Sequence, residues 1–273
     1  MPFLDLGDKT LFYSRVDPES PRDPSPVLVF IHGLGSSHSF YTSVMSQLAD
    51  TGYSSIALDV HGSGLSELSS KADAPSFASI AEDVANLLSK LDIPIDNVVA
   101  VGHSMGGIIV PLLAAKHSLR GAFLIGPVLP KPGLADIFSS RVETVKQHGM
   151  EAMAKTIPFA ATGSKANSTQ KAFIRTLLLS QRTDGYIALC QAIAKAERPV
   201  YSDANCPLFV VAGEEDKTSP VPDSRTILDS WSSWGCDEKS KTIQVLPGVG
   251  HWHCIEAADE VGWAMRAFMA TLN

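Results

Sequence analysis

Asn97-Val98-Val99-Ala100-Val101 runs straight into Gly102-His103-Ser104-Met105-Gly106, and that pentapeptide opens the segment Gly107 to Lys116. The first five residues read as a buried β-strand and the last ten as a helix. Between them stands a G-x-S-x-G motif. A serine at such a junction sits on a sharp, strained turn that lifts its hydroxyl above the sheet edge. The glycines leave room for backbone approaches that a β-carbon would block. The helix N-terminus behind Ser104 favours negative charge developing in front of it. Ser104 is therefore the candidate nucleophile.

Outward from this junction, apolar strand-like runs recur at Val27 to Ile31, Ser54 to Val60, Gly121 to Ile125, Leu208 to Val211 and Thr242 to Leu246. Several are apolar almost throughout, as strands buried on both faces of a parallel sheet should be. Helical patterns separate them. Ile80, Val84, Leu87, Leu88 and Leu91 share one face, as do Val261, Met265 and Phe268. This alternation predicts an α/β fold with a mostly parallel central sheet flanked by helices. Phe3 to Leu6 and Thr10 to Arg15, joined at Gly7-Asp8, predict a hairpin that adds antiparallel edge strands. From Pro130 to Asp203 there are helical patterns and no convincing strand, with prolines at 127, 130 and 132 on one side and 199 and 207 on the other. Residues 130–203 are expected to form a helical cap inserted between the core segments 1–129 and 204–273. Pro18 to Pro26 reads as one surface loop.

A serine hydroxyl needs a base. His251 follows the strand-like Thr242 to Leu246 through Pro247-Gly248-Val249-Gly250, a loop able to carry an imidazole across to Ser104. His253 is its rival, two residues on. His32 and His61 are expected to hold early loops by hydrogen bonds, and His103 to point away from its neighbour Ser104. The orienting acid is sought in Ala212-Gly213-Glu214-Glu215-Asp216, beyond a strand end where functional groups gather in open α/β sheets. Asp216 is the choice, with Glu214 and Glu215 expected to be solvated. Two backbone N–H groups should face the developing oxyanion: Met105, just after the nucleophile, and Leu34 in His32-Gly33-Leu34-Gly35.

With 22 Lys and Arg against 29 Asp and Glu, the net charge of −7 argues against a general nucleic-acid binder. No run approaches the roughly 18 apolar residues of a membrane span. Met1 to Thr10 carries Asp5 and Asp8 and lacks the basic and apolar regions of a signal peptide. Cys190, Cys206, Cys236 and Cys254 are scattered and have no metal-binding spacing. The expectation is a cytoplasmic protein with free thiols, without a metal or organic cofactor, acting on a small molecule. Charge is unevenly spread: residues 130–203 hold ten bases and six acids, a balance of +4, which leaves −11 elsewhere. A positive lid over Ser104 would draw in anions.

Five stretches carry a family resemblance: HGLG at His32 to Gly35, DVHGSGLS at Asp59 to Ser66, GHSMGG at Gly102 to Gly107, AGEEDKTSP at Ala212 to Pro220, and PGVGHWH at Pro247 to His253. In this order, across nearly the whole chain, they resemble the α/β-hydrolase superfamily. The resemblance implies that Ser104, Asp216 and His251 form a catalytic triad and that Leu34 and Met105 donate to the oxyanion. Within the superfamily the chain looks most like 3-oxoadipate enol-lactonases and related small esterases, with a local likeness from Asp184-Gly185-Tyr186 through Cys190. That likeness implies hydrolysis of an ester or lactone of a small carboxylic acid. The same triad also serves carbon–carbon bond hydrolases, cofactor-free haloperoxidases and ligand receptors built on this fold. Haloalkane dehalogenases are disfavoured, because they carry aspartate where Ser104 stands.

Overall fold

The chain begins with a hairpin. Phe3–Asp5 (β1) pairs antiparallel with Thr10–Val16 (β2), and Gly7 turns between them at a φ of 97°. This opens a computed structural model that describes residues 2–232 and 240–272. Cys236 lies outside the described residues, whereas Cys190, Cys206 and Cys254 are buried. After Val27–Ile31 (β3) and Thr42–Ala49 (α1) come Ser55–Leu58 (β4), Phe77–Lys90 (α2), Val98–His103 (β5), Gly106–Lys116 (α3) and Gly121–Ile125 (β6). Leu134–Ala160 (α4), Ser168–Leu179 (α5) and Thr183–Ala194 (α6) follow without an intervening strand. The core resumes with Leu208–Gly213 (β7), Val221–Ser230 (α7), Lys241–Leu246 (β8), the short His253–Glu256 (α8) and Ala258–Thr271 (α9).

One eight-stranded sheet runs β1-β2-β4-β3-β5-β6-β7-β8. β2 meets β4 antiparallel, and every pairing from β4 through β8 is parallel. β5 lies near the middle with all six residues buried, as the unbroken apolar run implies. β8 closes one edge and alternates half-buried and exposed positions up to the buried Leu246. Helices cover both faces. Phe123 stacks on Phe209 with centroids 5.1 Å apart, and Phe268 of α9 packs against both rings.

The strand ends depart from the sequence expectation in an informative way. β5 continues past Val101 because Gly102 and His103 pair with Leu124 and Ile125. β7 likewise runs on to Gly213 against Leu246. β4, by contrast, stops at Leu58, because the Val60 N–H turns aside to donate to His32. The central strands therefore carry the chain rigidly to the residues that matter, and the turns begin only there.

The helices α4 to α6 lie over this end of the sheet. α4 is broken at Gly149, where φ is 65°. α5 starts with reciprocal side-chain bonds between Asn167 and Gln170, which satisfy two N–H groups otherwise left bare at a helix start. α6 packs so closely on the core that a β-carbon at Gly185 would lie 2.0 Å from the Gly62 carbonyl oxygen.

Candidate active site

Ser104 has a φ of 54°, which is uncommon for a residue with a side chain. Such backbone strain costs on the order of 1–3 kcal/mol and persists only where its surroundings enforce it. Here the Ser104 N–H donates to Ile125, and its carbonyl accepts from Gly107 and Val128. The flanking glycines are required by close approach. A β-carbon on Gly102 would meet the Gly106 carbonyl oxygen at 2.3 Å, and one on Gly106 would meet that of Ile31 at 2.2 Å.

The hydroxyl stands at the end of a hydrogen-bonded chain. Ser104 Oγ is 2.9 Å from His251 Nε2, and His251 Nδ1 is 2.8 Å from Asp216 Oδ2. An ionised carboxylate only accepts, so Nδ1 carries the proton and Nε2 of the neutral ring is left to accept from the serine. Asp216 leaves the end of β7, and its Oδ1 accepts from the N–H groups of Thr218 and Ser219 at 2.8 Å each. Burial alone would raise this carboxyl. The nearby His251, its hydrogen bond, His253 and the Ser219 N–H outweigh burial and hold it well below the usual carboxylate range. Ser104 and His251 are each 7% exposed, so both side chains lie beneath the surface.

The other histidines take different places. His253 Nδ1 is 2.9 Å from the His251 carbonyl oxygen, and His103 Nε2 is 2.8 Å from the same atom. A carbonyl cannot donate, so both rings donate to it. Burial, partly offset by Asp216, pushes the His253 imidazole down to about 4. Burial and repulsion from His251 and His253 hold His103 well below its ordinary value. His103 stacks on Phe40 with centroids 4.3 Å apart. His32 bridges Gly33 and Val60, and His61 accepts from the Ser69 N–H. Glu214 and Glu215 are exposed, as expected, but each also ties down a loop. Glu214 accepts from the Gly248 N–H, and Glu215 accepts from the Ser164 N–H and hydroxyl.

Leu34 follows β3, and Met105 heads α3. Among the described residues no hydrogen bond is found from either N–H. Helices α5 and α6 lie close against this loop: a β-carbon at Gly35 would lie 2.7 Å from Leu178 of α5 and 3.3 Å from Tyr186 of α6.

Glu256 was not singled out in the sequence. Its buried carboxylate accepts three N–H bonds, from Gly163 at 2.7 Å and from Gly250 and Trp252 at 2.9 Å each. It thereby clamps the loop carrying His251 to the connection between α4 and α5. The only local signal was an acid in the first turn of a short helix, which is commonplace. Among the described residues there is no cluster of three metal-ligating side chains, and no helix is long and apolar enough to cross a membrane.

Comparison with known proteins follows the same lines. The family model described as serine aminopeptidase, S33, matches residues 22–257. The chain is 28% identical to 3-oxoadipate enol-lactonase 2 of Acinetobacter baylyi, covering 91% of this chain and 90% of that one. It is 26% identical to a non-heme haloperoxidase of Rhodococcus erythropolis, covering 98% and 99%. The crystal structure of the enol-lactonase from Burkholderia xenovorans superposes with a TM-score of 0.83 at 20% identity, covering 98% of this chain and all of that one. A thermophilic esterase from Thermogutta terrifontis gives 0.82 at 22% identity, covering 98% and 96%.

Proposed function

Because the chain belongs to the serine aminopeptidase S33 family of α/β hydrolases, we propose that it cleaves an ester or lactone of a small carboxylic acid through an acyl-enzyme on Ser104. The observation that carries this reading is the unbroken set of hydrogen bonds from Ser104 Oγ through His251 to Asp216. The choice of an ester or lactone over a peptide rests on similarity to the enol-lactonase, which extends over most of both chains.

His251 Nε2 takes the hydroxyl proton as Ser104 Oγ attacks the carbonyl carbon. The tetrahedral oxyanion is received by the N–H groups of Leu34 and Met105. Collapse breaks the carbon–oxygen bond of the ester, and His251 returns its proton to the leaving alkoxide. In a lactone that hydroxyl stays tethered to the acyl group. A water then gives its proton to His251 and attacks the acyl carbon, and Ser104 departs with the proton restored. Asp216 holds the ring tautomer and stabilises the imidazolium throughout.

The test is direct. Ser104→Ala should lower kcat on a responsive ester by about four orders of magnitude with the fold intact. A serine-directed phosphonate should add its mass to the wild-type peptide containing Ser104. Undiminished activity of Ser104→Ala would overturn the reading, and a panel of esters and lactones would then narrow the substrate.

A further inference from the structure

A second serine, histidine and aspartate lie in hydrogen-bonded order elsewhere in the molecule. Asp59 follows β4 and is fully buried. Its Oδ1 is 2.9 Å from His38 Nδ1 and also accepts the His38 backbone N–H at 2.6 Å. Its Oδ2 accepts from the Leu65 N–H at 2.8 Å. Burial would raise this carboxyl, but the His38 hydrogen bond, the neighbouring His32 and the two N–H donors hold it down, so it stays ionised. An ionised Asp59 puts the His38 proton on Nδ1 and leaves Nε2 as an acceptor. Ser39 Oγ lies 3.2 Å from that Nε2. The ring is held in place by Phe12, with centroids 4.6 Å apart.

The three residues border a pocket of about 280 Å³ between the core and α5, with Leu65, Phe173 and Leu177 as apolar walls. Neither Ser104 nor His251 lines it. The His38 side chain is 21% exposed. A base of fixed tautomer, a hydroxyl in its reach and an apolar recess beside them are the elements a serine needs to take up an acyl group.

We propose that Ser39, His38 and Asp59 form a second acyl-accepting site, which takes short apolar acyl groups from activated esters. Ser39 Oγ attacks the ester carbonyl, its proton passes to His38 Nε2, the bond to the leaving alcohol breaks, and that alcohol leaves with the proton. The product is an O-acyl serine at position 39. Uptake is stoichiometric and slow beside turnover at Ser104, where two N–H groups receive the oxyanion.

The probe is p-nitrophenyl acetate, applied to full-length Ser104→Ala protein. The expected result is release of p-nitrophenolate in step with one acetyl group, found by fragment mass spectrometry on Ser39. In the Ser104→Ala, His38→Gln protein, acetylation of Ser39 should be about 100-fold slower, the usual size of a general-base contribution. In Ser104→Ala, Ser39→Ala the stoichiometric release should vanish. Phosphonate labelling of Ser104 in the single variants His38→Gln and Ser39→Ala serves as the check on folding. Absence of acetyl from Ser39, or an equal rate with and without His38, overturns the proposal. If His38→Gln fails to fold, the outcome with Ser39→Ala decides it.

Discussion

Two imidazoles meet at the backbone carbonyl of a third histidine, and this arrangement sorts their roles. His251 reaches Ser104 with its side chain, while its own carbonyl receives the rings of His103 and His253. His251→Ala should therefore fall close to the Ser104→Ala rate, and the double variant should be no worse, because such groups act as a unit. His253→Ala should keep substantial activity, since that ring donates to the His251 carbonyl and makes no hydrogen bond to Ser104. The reverse ranking in kcat would refute the assignment. Glu256→Gln tests the clamp. Glutamine keeps one acceptor oxygen and turns an amide toward N–H groups, so about 1–3 kcal/mol of stability should be lost. Thermal unfolding and kcat should both decline, whereas the site labelled by a phosphonate should not change. At this scale the sequence was legible wherever a residue stood in a local motif. Ser104, His251 and Asp216 did. Glu256 did not, because its three partners come from distant backbone, and nothing in the letters around it reports them.

At the scale of elements, the strands could be read from their apolar runs, but their ends could not. Gly102 and Gly213 look like turn residues, yet pairing with a neighbouring strand keeps each of them extended. The contact between α6 and the core was equally hidden, since it depends on two glycines far apart in the chain. Gly185→Ala should force α6 away from residue 62, because the atom in the way is backbone and cannot yield. Tyr186, next along α6, touches the Leu34 loop at Gly35, so the variant should lose kcat/KM by about tenfold or more as that loop is disturbed. Unchanged kinetics would show that α6 does not steady the loop. Arg141 of α4 adds a charge to this corner. Its guanidinium lies over the Phe138 ring at 4.9 Å and acts on both Tyr186 and Cys190. Burial nonetheless pushes the Cys190 thiol up to about 12, so it stays neutral. Arg141→Gln should raise KM about tenfold for a carboxylated lactone, a loss of about 1.4 kcal/mol, and leave a neutral lactone unaffected. Equal change for both would remove Arg141 from substrate choice.

Across the whole molecule, charge and proton uptake set the remaining expectations. Several bases of residues 130–203 are engaged at the surface, as in Arg175 with Glu151, Arg182 with Glu67 and Lys131 with Asp223. What remains of the +4 acts at a distance, so added salt should slow a carboxylated lactone selectively, as screening contracts to a few ångströms near molar salt. An identical salt response of a neutral lactone would leave the cap charge without that role. Stability should fall on acidification. Burial depresses the pKa of His32, His61, His103 and His253. The unfolded chain therefore binds protons near the ordinary value of 6.5, while the folded chain holds off, for His253 until about 4. Each such proton steepens the loss by about 1.4 kcal/mol per pH unit. Asp216, held low in the folded state, stabilises it above the ordinary carboxylate range and loses that effect as pH falls through its folded value. Asp83, raised mainly by burial, works in the opposite direction. The urea midpoint should thus drop steadily from pH 7 to pH 4, and a flat profile would contradict the buried neutral histidines.

The α4–α5 connection and the loop that bears His251 are held by the same atoms. The His251 N–H donates to the Ala161 carbonyl, and one oxygen of Glu256 serves both Gly163 and Gly250. An outward swing of the α4–α5 connection would therefore unseat the imidazole with it. Here an open molecule is a disarmed one. Admission of substrate must use another edge, or must alternate in time with chemistry. Amide hydrogen exchange can read this coupling, because Gly163, Gly250 and Trp252 should lose protection together, as one latch.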